Sequence, residues 1–150
     1  MSDSATTITD VLAAIQSALE GVTGLSAATV IYGIGAGNTV PSGKLVQWRP
    51  VEGRLAVEGG NLRSDLVDLP CEVRIYAPAS ADTPRARDAA ILELWQTIRT
   101  HFLANRTLGS IVRDCHVSSI TLPTSAADLG LPSGAGVCVL TARWQWKAVP

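Results

Sequence analysis

Three cysteines and two histidines are the residues of this chain best suited to catalysis or metal binding. Asp114, Cys115 and His116 are consecutive and combine a carboxylate, a thiol and an imidazole, the groups used in nucleophilic catalysis and metal ligation. They fall in a predicted strand over residues 111–122, where neighbouring side chains point to opposite faces. Cys115 and His116 can share a site only if a bulge interrupts that strand, and the alternation does slip at residues 115–119. We expect no catalytic or metal site here.

The other reactive side chains are predicted to have structural roles. Cys71 and Cys138 also lie in predicted strands without a C-x-x-C pair, so we expect all three cysteines to be reduced and shielded. His101 follows a predicted helical stripe beside Phe102 and is expected at the boundary of the core. The sequence contains no G-x-S-x-G, H-E-x-x-H or glycine-rich kinase motif. We therefore predict no catalytic residues, no metal and no cofactor.

Two further patterns resemble ligand sites. The glycine-rich residues 33–38 approach the dinucleotide fingerprint, but Asn38 stands where the last glycine belongs and no helix start follows. We predict a plain loop.

Trp144 and Trp146 would stack bases if they were exposed, but their spacing in a strand places both indoles on the face that continues Leu140. Core packing or a subunit contact is the favoured interpretation.

Length and composition indicate one domain, residues 1–150. Hydrophobic residues make up 47% of the 150 positions and charged residues 17%, so the chain can bury a core. The net charge of −1 gives no general attraction to nucleic acid or anionic lipid. No signal-peptide pattern and no continuous apolar run of membrane-spanning length are present. We expect a chain that is made in the cytoplasm and binds no membrane.

The element around which the chain is organised is residues 66–102, where the hydrophobic period changes from two to about 3.6. Residues 69–76 alternate as a strand, and Pro84 marks the start of a helix that ends near Ala104. Trp95 and Ile98 are predicted core anchors of this helix. A first helix capped by Thr7 or Thr9, two short strands before the central one and two strands after the long helix complete the order. This order predicts an α+β fold, with two helices on one face of a largely antiparallel sheet.

Residues 49–65 are longer than a usual connection and rich in charge and glycine. A brief apolar run suggests a projecting β-hairpin that turns at Gly59-Gly60 or Gly60-Asn61. Such a hairpin alone would be marginal, so we expect it to become ordered against a partner. The candidate protein-interface residues are Arg54, Leu55, Val57, Glu58, Arg63 and Asp65.

The order of elements resembles that of the tail terminator, or tail completion, proteins of long-tailed bacteriophages and gene transfer agents. The matching pieces are the opening helix at residues 8–19, LPCEVRIYAP at 69–78, ARDAAILELWQTIRTHF at 86–102 and GAGVCVLTARWQW at 134–146. The resemblance covers nearly the whole chain and rests on pattern and size, without an invariant signature. Stopper and head-completion proteins of the neck show a similar order.

This resemblance implies a structural virion protein of the tail or neck, assembled in the host cytoplasm. Its copies would form a homo-hexameric ring that ends polymerisation of the tail tube and offers a docking face to the head. The implied partners are other copies, the tail tube protein and a connector or stopper protein, while DNA passes through the lumen without specific binding. The family has no catalytic residues. A neck protein of the stopper kind is the first alternative, and a small cytosolic enzyme that uses Cys115 or His116 is the second.

Overall fold

The computed structural model describes residues 7–33, 44–51, 56–61, 64–76, 84–122 and 135–147. These form two helices and six strands: α1 (Ile8–Glu20), β1 (Val30–Tyr32), β2 (Leu45–Pro50), β3 (Ala56–Asn61), β4 (Ser64–Tyr76), α2 (Pro84–Ala104), β5 (Asp114–Val117) and β6 (Ala135–Lys147). The strand order is β1-β2-β4-β6-β5, and β3 also pairs with β4. β1 is parallel to β2 and every other pairing is antiparallel. The predicted α+β class is confirmed.

The hydrophobic core lies on one face of this sheet. Alternate residues of β4 are buried, and the register places Cys71 opposite Leu140 and Val73 opposite Cys138 on the same face. The buried residues of both helices belong to the same cluster: Val11, Ile15 and Leu19 from α1, and Ile91, Leu94, Ile98 and Phe102 from α2. Both helices therefore cover one face, because each has one apolar stripe to bury. Within the described residues, no helix covers the other face, which we call the open face.

Local signals set both ends of α1. The Thr7 hydroxyl accepts the Asp10 backbone N–H at 3.2 Å, and the Asp10 carboxylate accepts the Thr7 N–H at 3.1 Å. This capping box satisfies two N–H groups that have no partner within the helix, and Gly21 caps the other end. Gln16 then ties the helix to the sheet, since its Oε1 accepts the Trp48 indole N–H at 2.7 Å and its Nε2 donates to the Val30 carbonyl at 3.0 Å.

The long helix begins and ends where the sequence predicts, but one of its two predicted anchors is placed differently. Ile98 is fully buried. The prediction that Trp95 is a core anchor is wrong, because its side chain is half-buried beside the core and its indole N–H donates to the Ser118 carbonyl at 2.9 Å. The buried stripe passes through Leu94 instead, one helical position away, and Trp95 lies at its margin with its polar atom directed to β5.

The predicted bulge occurs just after β5. Val117 pairs with Leu140 and Thr121 with Val137, so residues 118–120 stand opposite only two residues, 138–139. At the bulge the Ser118 hydroxyl accepts the Val139 backbone N–H at 3.0 Å, while the Ser118 carbonyl is engaged by Trp95. The hydroxyl therefore replaces a backbone acceptor in the ladder. The regular strand is shorter than the predicted 111–122, because it begins at Asp114 and the bulge shifts its register with β6 after Val117.

The hairpin reverses direction later than the glycines predict. β3 includes Gly59, Gly60 and Asn61, and Asn61 pairs with Ser64, so both predicted turn dipeptides lie within the strand. The prediction of a turn at Gly59-Gly60 or Gly60-Asn61 is therefore wrong. β4 pairs with β6 along its full length, and this pairing fixes the position of Ser64. β3 therefore extends as far as Asn61, which pairs with Ser64.

Candidate interaction surfaces

Cys115 and His116 do not meet in the structure. Both lie in β5, ahead of the bulge, so the strand alternation between them is intact. The Cys115 side chain is buried against the core, and burial raises the pKa of its thiol. His116 lies on the open face, where its ring Nδ1 is 3.1 Å from an Asp114 carboxylate oxygen. A thiolate nucleophile activated by this imidazole is therefore incompatible with the geometry.

All three thiols are expected to resist modification in the folded protein. Cys71, Cys115 and Cys138 are free and buried, and burial raises the pKa of Cys71 and Cys138 to about 12. Because the thiolate is the reactive form, a small maleimide should label none of them faster than the protein unfolds. Mass spectrometry of the native protein should show no rapid adduct, and three adducts should form in denaturant. Fast labelling of two thiols without denaturant would contradict the strand assignment.

The open face carries paired charges at the junction of β4, β5 and β6. Arg143 lies directly opposite Asp68 and donates to both carboxylate oxygens, at 2.7 and 2.8 Å. Its neighbour on the other side is Asp114, whose carboxylate accepts from Arg106 at 2.6 Å. These bonds lower the pKa of both carboxyl groups, chiefly through Arg143 for Asp68 and through Arg106 for Asp114. The cluster joins the end of α2 to three strands.

Farther along the open face, the polar side chains also pair with one another. Arg74 donates to Glu72 at 2.8 Å, and the Tyr76 hydroxyl donates to the Gln47 side chain at 3.0 Å. Tyr76 is buried in a small cluster with Leu45 and Val137, separate from the main core. The open face thus combines internally neutralised charges with apolar side chains. Such a mixture suits contact with another protein better than it suits a polyanion.

The ion pair between Asp68 and Arg143 is expected to weaken in acid. A carboxyl whose pKa is lower in the folded than in the unfolded chain stabilises the fold above the unfolded pKa, and that stability is lost as pH falls through the folded pKa. In a double-mutant cycle of Asp68→Asn and Arg143→Gln, the coupling at pH 7 should be about 0.5–1 kcal/mol, since both side chains are partly exposed. Urea unfolding below the ordinary Asp pKa of 3.8 should show the coupling declining toward zero. A coupling that is constant across this range would contradict the assignment.

The sheet continues past the ends of β2 and β5 as three strands. β2 pairs with β4 only as far as Cys71, and β5 pairs with β6 only as far as Arg143. Beyond them remain β3, residues 64–67 of β4 and residues 144–147 of β6, which we call the arm. Its strands run for about 10 Å from Val67 to Ser64 at the usual rise per residue. At its base, Val67 and Trp144 are opposite each other and buried.

Three of the predicted interface residues lie in strands of the arm. Val57 is opposite Val67 and Glu58 is opposite Leu66 in the pairing of β3 with β4, and Asp65 is opposite Trp146 in the pairing with β6. The side chains of these three residues, and all of Arg54, Leu55 and Arg63, lie outside the described part of the chain. The expectation of an isolated two-stranded hairpin is corrected, because β6 pairs with the same residues of β4 that β3 does. Sequence reasoning predicted the final strand through Trp146 but not that it pairs beside the hairpin, which depends on the register between distant segments.

The helix side offers a shallow groove. About 610 Å³ of space lies between the turn at Thr23 and the exposed side of α2, lined by Thr23, Glu93, Gln96, Thr97, Thr100, His101 and Ala104. His101 is half-buried and contacts the edge of Phe102 with ring centroids 6.0 Å apart, which confirms its predicted boundary position. Among the described residues, no three His, Cys, Asp or Glu side chains are placed to hold a metal ion. No described helix combines the length and apolarity needed to cross a membrane.

Comparisons with known proteins give no relative: no protein-family model matches the chain, and no curated protein matches it significantly.

Proposed function

We propose that this protein is a tail terminator: a structural subunit that forms a homo-hexameric ring on the tail tube of a long-tailed bacteriophage or a gene transfer agent. The ring ends tube polymerisation and presents a face to the connector or stopper protein of the head. The proposal rests on the resemblance in the order of elements. The observed order supports it: an opening helix, a long central strand, a long helix and a final strand, with the two strands in one sheet.

The arm is the observation that carries the proposal. It extends the sheet beyond the ends of β2 and β5, and among the described strands β3 pairs on one side only. The other edge of β3 thus has no paired strand in the described part of the chain. A free edge of this kind is a site where another chain can pair. A subunit that works through contacts with copies of itself and with the tube requires such surfaces.

Oligomeric state tests the proposal directly. Mass photometry and negative-stain microscopy of the purified chain, alone and with tail tube protein, should show a ring of six subunits. Adding that ring while tube protein is polymerising should stop tube growth, so that the tubes are shorter than those formed without the ring. A chain that stays monomeric in both conditions and leaves tube length unchanged would overturn the proposal. A ring that binds the head connector and leaves tube growth unaffected would indicate a stopper protein instead.

Assembly is expected to protect the backbone of the arm. Hydrogen exchange of residues 54–63 should be slower in the ring than in the isolated subunit, because the edge of β3 that faces away from β4 gains hydrogen-bond partners only on association. The exchange rates are compared between isolated subunits and rings taken from the same protein preparation. Fast exchange of equal rate in both states would show that the arm contacts no partner.

Charge reversal offers a second measurement on the same surface. Glu58→Arg in β3 should weaken each subunit contact about tenfold, which corresponds to about 1.4 kcal/mol per contact, and so strongly reduce the fraction of protein in rings. Glu93→Arg, an exposed position on α2, is the matched control and should leave assembly unchanged. Both variants should keep the melting temperature of the monomer. Equal loss of rings in the two variants would indicate a general effect of charge and would remove the arm from the interface.

A further inference from the structure

We draw no further inference here: the strongest candidate, the open face of the sheet with its ion pairs along β4, β5 and β6 and its small apolar cluster at Tyr76, carries nothing because nothing in the structure shows what covers it.

Discussion

Gly136→Ala is expected to destabilise the fold by about 1–3 kcal/mol, although alanine is normally the better strand residue. A Cβ at Gly136 would lie 2.8 Å from the Ile91 Cγ2 and Ile120 Cδ1 atoms and 3.2 Å from the Leu122 Cδ2 atom. Ile91 is a buried residue of α2 that packs directly over β6, so its side chain has little room to move away from an added Cβ. The other two atoms belong to Ile120, within the bulge, and to Leu122, just after it. Urea unfolding should show a lower midpoint with an unchanged slope.

Two variants separate this steric effect from a general effect of alanine. Gly21→Ala is the matched control, because a Cβ there would meet its nearest atoms at 3.6 Å and the backbone φ of −82° suits alanine. Its effect should be within about 0.5 kcal/mol of zero. Combining Gly136→Ala with Ile120→Val removes one of the two clashing methyl groups and should restore part of the lost stability. A Gly136→Ala protein as stable as Gly21→Ala would show that α2 does not approach β6 this closely.

Ile98→Ala is expected to cost about 2–5 kcal/mol, the range for truncating a fully buried aliphatic side chain. Arg99→Ala, at the next position and exposed, should change the unfolding free energy by no more than about 0.5 kcal/mol. Both are measured by urea unfolding of the purified chain. Equal effects of the two substitutions would mean that the buried face of α2 is assigned incorrectly.

Trp95→Phe isolates the hydrogen bond to the bulge. The ring is kept while the indole N–H that donates to Ser118 is lost, so the expected cost is about 0.5–1.5 kcal/mol. Hydrogen exchange should show where the effect falls: the Val139 and Thr121 amides beside the bulge should exchange faster, while the amide of Ile98 should be unaffected. A cost as large as that of Ile98→Ala would restore Trp95 to the core role that the sequence predicts.

The candidate interface illustrates how far sequence reasoning reaches toward function. Charge, glycine content and length single out residues 49–65, and the structure places β3 in this stretch at the end of the sheet. Their composition does not indicate that β6 continues alongside, since pairing over 13 residues depends on the register between distant segments. A ring interface is even less predictable from local sequence patterns, because it depends on contacts with a second molecule.

The sequence by itself determines both helices, the central and final strands and the α+β class. These depend on interactions between residues a few positions apart: the capping box at Thr7, proline at the first position of α2, and apolar residues recurring at helical or strand spacing. Tertiary structure decides the rest. Trp95 lies at the margin of the core, where its indole N–H donates to Ser118, and the hairpin turns late because β6 fixes the register of β4. Each outcome depends on a contact with a residue that is distant in the sequence, and short-range patterns do not indicate which distant segment a residue will contact.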